Sequence, residues 1–293
     1  MQFTVITPNL NYGRYIGECL SSVAAQKGVT LEHLVIDGGS TDESADVVSG
    51  FPDAEWTQEP DKGMSDAINK GFARAKGDWV MWLNADDRLK SGALAEVAKF
   101  VAKHPEADVV YGAFDFMAEN GNFIRRVKLF GWSPFVSVHH CCYIPSTSCF
   151  IRRSSVIAEG FRLRDDFRYV MDGEFYARLD AAGKIFHYLP VALAEFRLHP
   201  GNLSLSTKFD SRDMDEALKG ERQHVESRAI RRVFGITLTA DPYLNGLTDG
   251  TLYLIARGLK MIRKAFAPHV KTPREQVSSA RNGSETGNQH KES

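Results

Sequence analysis

Four cysteines among 293 residues, Cys19, Cys141, Cys142 and Cys149, are too few for a disulfide framework. Adjacent cysteines such as Cys141 and Cys142 seldom bridge each other, so the chain reads as one kept in a reducing compartment. No stretch approaches the ~18 uninterrupted apolar residues of a membrane span. The opening MQFTVITP has no basic segment, and its short apolar run ends at Pro8, which is not the pattern of a secretory signal. A cytoplasmic protein is expected. Excess charge is also missing: 36 Lys and Arg against 37 Asp and Glu leave a formal net charge of −1, so no general field draws in nucleic acid or an anionic membrane. Finally, no G-x-G-x-x-G follows the first apolar run, which argues against a dinucleotide-dependent oxidoreductase.

What is present is ordinary globular material, 43% hydrophobic and 25% charged, enough for one large α/β domain or two smaller ones. FTVIT (3–7) reads as a buried strand, and Ile16, Leu20, Val23 and Ala24 recur at helical spacing over 14–26. HLVID (33–37) is the next strand. GGSTDES then supplies turn glycines, with Ser40 or Thr41 as cap of a helix over 45–48. Trp56 lies in a third strand, Met64, Ala67, Ile68, Phe72 and Ala75 share one helix face, and WVMWL (79–83) is a fourth strand. Strands alternating with helices predict a parallel sheet covered on both faces, whose ligands sit beyond the carboxyl ends of the strands. Asp37 closes one strand, and Asp86 and Asp87 follow another in WLNADD, so these acids are expected on one rim, facing a ligand or a metal.

Further along, 92–104 reads as a helix, 109–116 as a strand, 123–143 as irregular with strand-like pieces, and 174–184 as a helix. IFHYL and LAEFRL read as two strands leading to HPGNLS (199–204), followed by a charged helix over 210–234. A helix over 252–266 carries Leu252, Ile255, Leu259, Ile262 and Phe266 on one face and Arg257, Lys260, Arg263 and Lys264 on the other. It suits either peripheral contact with an anionic membrane or packing on its own domain. From Lys271 the chain is polar and expected to be disordered, and no internal repeat is visible.

TPNLN, VIDGGSTD, EPDKGMSDAINKGFARAKGD, WLNADD, CFIRRS, MDGEFYARL and FRLHPGNLS, in this order and spacing, resemble glycosyltransferase family 2. The resemblance implies the GT-A fold, an α/β architecture with a Rossmann-like, mostly parallel central sheet, helices on both faces and further C-terminal helices. It implies a transferase domain over 1–206, nucleotide-binding to about 110 and acceptor-binding from 111, then a helical extension over 207–270 and a tail over 271–293. The implied activity is inverting transfer of a sugar from a nucleoside diphosphate, a UDP-sugar above all, to a hydroxyl of a polysaccharide or glycolipid acceptor, assisted by Mg²⁺ or Mn²⁺. The alternative is a catalytically weak sugar-nucleotide-binding subunit of a polysaccharide assembly complex.

Residue by residue, the resemblance implies that Asp37 meets the nucleobase, with Thr7 beside it; otherwise Asp37 closes the turn that follows. The family's Asp-any-Asp metal motif falls on Asn84, Ala85 and Asp86, so an amide stands where a carboxylate is usual. Asp86 is then the main metal ligand, joined by His199, and Asn84 is left for the donor's ribose; His199 is otherwise a loop histidine. Asp87 supports Asp86 or caps the next helix. Lys62, Asp66 and Asn69 are candidates for the donor side or are ordinary loop and helix-surface groups. Asp172 occupies the place of the family's catalytic base, with Met171 where many members carry an acid. Glu174 is its rival, and a helix cap is the other reading of Asp172. HHCC (139–142) is too compact for one tetrahedral zinc; with Trp132, Phe135 and Tyr143 it is either acceptor pocket or core.

Overall fold

The period-two alternation of WVMW explains how the fold begins, because each of its residues is buried and successive side chains leave opposite faces of the strand. Val80 and Trp82 join a core with Ile6, Leu34 and Ile36, while Trp79 and Met81 join another with Phe3 and Val5. A strand covered on both sides reads as a continuous apolar run, which is why the sequence shows one. The protein is seen here as a computed structural model that describes residues 1–133, 142–167 and 170–202.

The chain order is β1 (Gln2–Asn9), α1 (Gly13–Ala24), β2 (Thr30–Asp37), α2 (Ser44–Ser49), β3 (Ala54–Gln58), α3 (Met64–Arg74), β4 (Trp79–Trp82), β5 (Arg88–Leu89), α4 (Ala93–Lys103), β6 (Val109–Ala118), β7 (Phe123–Val127), β8 (Cys149–Arg152), α5 (Met171–Ala181) and β9 (Phe186–Leu198). One sheet runs β3-β2-β1-β4-β8-β6-β9-β5, with β7 paired to the far half of β6. Strands β1, β2, β3, β4, β6 and β9 point one way, and β5, β7 and β8 run against them. Helices α3 and α5 cover one face through Ile68, Phe72, Phe175 and Tyr176. On the other face α1 and α4 pack through Cys19, Val23, Leu94 and Val97. The expected boundary near residue 110 falls inside this single sheet, at the start of β6.

The structure differs from the sequence reading in five places, the first being β5, a two-residue strand that was not expected. Part of the stretch read as irregular forms β7, and CFIR is strand β8, running antiparallel between β4 and β6. IFHYL and LAEFRL are one thirteen-residue strand, β9, in which the register with β6 shifts from Gly112 opposite Leu189 to Ala113 opposite Ala192. Pro190 sits in the skipped stretch, and having no N–H it cannot donate to the ladder, so a bulge accommodates it. Neither Ser40 nor Thr41 caps α2: the residue before it is Glu43, and the Asp42 carboxylate accepts the Ser44 N–H at 3.0 Å instead. Helix α5 begins at Met171, three residues earlier than expected. The expected 207–270 extension, 252–266 helix, 271–293 tail and residues 139–141 lie outside the described residues. Among the described residues, no helix is long and apolar enough to cross a membrane.

The bulge dictates a glycine. A Cβ at Gly112 would lie 2.4 Å from Leu193 Cδ1 and 2.7 Å from the Val191 carbonyl oxygen, and a backbone oxygen in a sheet has nowhere to retreat. Gly112→Ala is therefore expected to destabilise the fold by about 1–3 kcal/mol, the usual cost of overpacking. A urea midpoint unchanged from the parent would contradict this account of the bulge.

Candidate functional site

Because β1, β2, β4 and β9 are parallel in direction, their carboxyl ends lie on one edge, and the polar residues gather there. Asn9 and Asp37 are the last residues of β1 and β2 and face each other in register. Asp86 and Asp87 follow β4, and His199 follows β9. Strand β8 runs the opposite way, so its first residue, Cys149, and the turn Ser146–Ser148 before it arrive at this same edge.

At the centre, Asp86 Oδ2 lies 2.9 Å from His199 Nε2 and accepts the Asn202 amide at 3.1 Å. The Gly201 N–H donates to His199 Nδ1 at 3.2 Å, which leaves the proton on Nε2, facing Asp86. All three residues are buried, and the rings of Tyr15 and Tyr12 wall the histidine at 4.8 and 6.0 Å. Burial, then the charges of Asp86 and Asp87, push the Tyr12 phenol up to about 12. That shift places Tyr12 within the field of both acids.

Asp87 is not a helix cap. Its Oδ2 accepts the Thr147 hydroxyl at 2.5 Å and its Oδ1 the Arg197 N–H at 2.9 Å, tying the end of β4 to β9 and to the turn before β8. Burial first, and the adjacent Asp86 charge second, hold the Asp87 carboxyl well above the carboxylate range, against the pull of these donors. Arg197 carries the countercharge. It is only 1% exposed; its guanidinium donates to the Asp86 carbonyl at 2.8 Å, the Glu119 carbonyl at 2.7 Å and the Glu18 carboxylate at 2.8 Å, and it lies over the Tyr15 ring. The sequence reading passed over Arg197, Asn202 and Thr147. A signal was available for the first of them: an arginine inside a strand bounded by Phe196 and Leu198 needs buried partners.

A divalent cation fits this set. Both hydrogen bonds of the Asp86 carboxylate fall on Oδ2, and Asn84 Oδ1, two residues earlier in the chain, is buried without a hydrogen-bond partner. Amide and carboxylate oxygens with one imidazole are donors that Mg²⁺ and Mn²⁺ accept. A cation would also relieve the crowding of two adjacent buried acids.

Asp37 is wholly buried and accepts five hydrogen bonds: the Gly39 and Ser40 N–H, the Ser40 hydroxyl, and the Asn9 and Gln58 amides. Burial opposes its ionisation, but these donors, Ser40 foremost, hold the carboxyl below its ordinary range. It therefore does close the turn after β2, and it fixes Asn9, whose own Oδ1 is buried without a partner. Thr7 does not reach this rim: its hydroxyl is 0% exposed and turned inward, 2.9 Å from His33 Nε2, whose pKa burial lowers to about 3.

Asp172 stands in the first turn of α5, one residue inside the helix rather than before it. Its Oδ1 accepts the Gly173 N–H at 2.8 Å, and burial raises its pKa to about 6 against that bond. Its charge is felt by Cys149 and Tyr176, which places it beside the start of β8, two residues from the Thr147 that binds Asp87. Met171 packs against the start of α3, its sulfur accepting the Ser65 hydroxyl at 2.9 Å. Glu174 is committed elsewhere, both oxygens to Arg178 at 2.5 and 2.9 Å.

The residues expected on the donor side divide. Lys62 is exposed at the mouth of the loop before α3. Asp66 accepts the Lys62 N–H at 3.1 Å and pairs with Lys70 at 3.4 Å, while Asn69 is taken up by two hydrogen bonds to the Leu163 backbone. Trp132 stacks on Phe186 at 4.3 Å and donates to Asp180, and Tyr143 stacks on Phe130 at 4.4 Å, so these rings pack within the protein; Phe135 lies outside the described residues.

Residues 4–161 match the family model described as Glycosyl transferase family 2. A PGL/p-HBAD biosynthesis glycosyltransferase of Mycobacterium tuberculosis is 37% identical over 202 residues, covering 66% of this chain and 76% of that protein. An uncharacterized glycosyltransferase of Nostoc sp. is 29% identical over 223 residues, covering 70% and 67%. Among solved structures, S. aureus TarS 1–349 in complex with UDP-GlcNAc superposes with a TM-score of 0.63 at 19% identity, covering 78% of this chain and 71% of that one. The mannosyltransferase PcManGT from Pyrobaculum calidifontis, in complex with GDP-Man and Mn²⁺, gives 0.52 at 17% identity, covering 97% and 80%. The sheet, its covering helices and these likenesses agree, and the chain belongs to glycosyltransferase family 2.

Proposed function

We propose that the rim catalyses inverting transfer of a sugar from a nucleoside diphosphate, a UDP-sugar above all, to a hydroxyl of a polysaccharide or glycolipid acceptor. The observation that carries this reading is the meeting of Asp86 and His199, 113 residues apart, at 2.9 Å beside the unpartnered Asn84 carbonyl. The relatives named above support the donor class: TarS was solved with UDP-GlcNAc and PcManGT with GDP-Man and Mn²⁺, and the mycobacterial relative is named for PGL/p-HBAD biosynthesis. A cytoplasmic place, peripheral to the membrane where lipid-linked acceptors reside, belongs to the same reading.

In this scheme Asp86 and His199 hold Mg²⁺ or Mn²⁺, which when bound neutralises charge developing on the departing diphosphate. To hold such an ion His199 would present its Nε2 lone pair, with the proton moved to Nδ1 in place of the Gly201 hydrogen bond, while Asn202 would keep the Asp86 carboxylate oriented in either state. Asn84 Oδ1 reaches the same cation or a ribose hydroxyl. The nucleobase lies along Asn9 and Asp37, with Lys62 and Asp66 at the loop that closes the donor side and Thr7 supporting β1 from beneath. Asp172 takes the proton from the acceptor hydroxyl as its oxygen bonds the anomeric carbon, and the bond from that carbon to the diphosphate oxygen breaks on the opposite face. A base whose pKa of about 6 lies near working pH is ionised yet still basic, and such a group contributes typically ~10²–10⁴ in rate.

Asp172→Asn should abolish transfer nearly completely while UDP affinity stays within about twofold, because the amide keeps the shape and loses the basicity. Turnover within threefold of the parent would refute the assignment. The same variant should be more stable than the parent. A carboxyl raised from 3.8 to about 6 favours folding only when protonated, so its ionisation costs stability progressively as pH rises from about 4 to 6 and by a constant amount above. The gain, on the order of 3 kcal/mol, belongs above pH ~6 and vanishes below pH ~4; urea titrations at both ends measure it.

In the parent, kcat/KM should fall on the acid side with a midpoint near 6, the pKa of Asp172. A flat profile between pH ~5 and ~7.5 speaks against Asp172.

Chelation, Asp86→Ala and His199→Ala should each weaken UDP binding by at least tenfold, by analogy with the loss of a metal ligand elsewhere. Equal calorimetric affinity in all three removes the cation from this account. Donor hydrolysis without acceptor separates a working enzyme from a binding subunit.

A further inference from the structure

At the opposite end of β9 lies a second constellation that the transfer reaction leaves unused. His187 is the second residue of β9 and His199 follows its last, so twelve residue steps of extended strand separate them, roughly 40 Å. His187 Nε2 stands 3.0 Å from Glu106 Oε1, and His104 Nδ1 stands 3.3 Å from the same oxygen. The ligand atoms of the three residues all lie within 4.8 Å of one another, the only such group of three among the described residues. A tetrahedral ion with bonds of about 2.0–2.2 Å puts neighbouring ligand atoms roughly 3.3 Å apart, so two of the three edges already have that length. The remaining edge is no longer than 4.8 Å.

The three groups are held by structure that does not depend on an ion. His104 ends α4, its N–H donating to the Phe100 and Val101 carbonyls, and its carbonyl accepts the Ala107 N–H at 3.0 Å in a tight turn. The Arg152 guanidinium clamps that turn through the Pro105 and Ala107 carbonyls at 2.8 and 2.6 Å. Phe100 packs against the His104 ring at 4.3 Å, and the two histidine rings lie 4.7 Å apart. His187 is set by its pairing opposite Val110 in the sheet. Backbone and packing thus bring two imidazoles and one carboxylate to one partly exposed point, with the outer side open to water.

We infer that His104 Nδ1, Glu106 and His187 Nε2 form a binding site for a divalent transition metal, Zn²⁺ above all, with solvent completing its coordination. Two nitrogens and one oxygen select against Mg²⁺ and Ca²⁺, which prefer all-oxygen surroundings, and a three-ligand site with an open fourth position suits Zn²⁺. The ion would clip the end of α4 to the start of β9. The inference does not rest on the proposed transfer reaction, since no residue is shared with the rim.

The test is calorimetric titration of the full chain with Zn²⁺ in a large excess of Mg²⁺, alongside Co²⁺ titration read by visible ligand-field absorption. One Zn²⁺ should bind to the parent and to Asp86→Ala with affinities within about twofold of each other, raising the melting temperature of both. His187→Ala and the gentler Glu106→Gln should each bind at least roughly tenfold more weakly, and His104→Ala/His187→Ala should lose the Co²⁺ band. Parent-like Zn²⁺ binding by the double variant, or no binding by the parent, overturns the site. Loss of binding in Asp86→Ala alone assigns the ion to the rim and overturns it equally.

Discussion

Two adjacent acids taken out of water are the constraint around which this structure is arranged. Asp86 and Asp87 leave a strand whose every residue is buried, and an uncompensated pair of carboxylates there would cost several kcal/mol. The end of β9 supplies the compensation. The Arg197 backbone and guanidinium reach Asp87 and the Asp86 carbonyl, and His199 and Asn202 reach the Asp86 carboxylate. Those contacts also place the histidine, so the device that makes the buried acids tolerable is the one that sets His199 against Asp86. Arg197 is in turn held by Glu18 and Glu119, which anchors α1 to the same centre.

Charge and burial divide the labour among the acids of the rim. Asp37, surrounded by five donors, is held ionised and acts as a fixed acceptor that shapes the end of β1 and β2. Asp172, with one backbone donor and largely apolar surroundings, is pushed toward neutrality and keeps its basicity. Acids that differ mainly in the number of donors around them thus have their pKa values pushed in opposite directions.

Much of this was legible in advance. Apart from the two-residue β5, the strands and helices as far as α4 announce themselves by period and length, because each is amphipathic or buried, and their ends differ from expectation by at most three residues. The region between Phe123 and Arg152 was harder. Strand β8 is four residues long and runs antiparallel, a pattern too short for periodicity to register, and β9 carries a proline that reads locally as a break. The roles proposed for Asp86, His199 and Asp172 rest on motif order. Arg197 was not seen, since nothing local shows that its partners lie at residues 18, 86 and 119.

The sequence by itself determined that the chain forms a covered parallel sheet with acids at its strand ends, because apolar period and turn chemistry are local properties. It also carried the family likeness, through the order of its motifs. Tertiary structure decided which acid is free and which is engaged. Glu174 and Asp172 are two residues apart on one helix, yet one is locked to Arg178 and the other is left nearly bare. It likewise decided that Thr7 turns inward and that His104, Glu106 and His187 meet. A pKa or a ligand set depends on groups within a few ångströms in space, and those groups are brought together only when distant segments pair in the sheet.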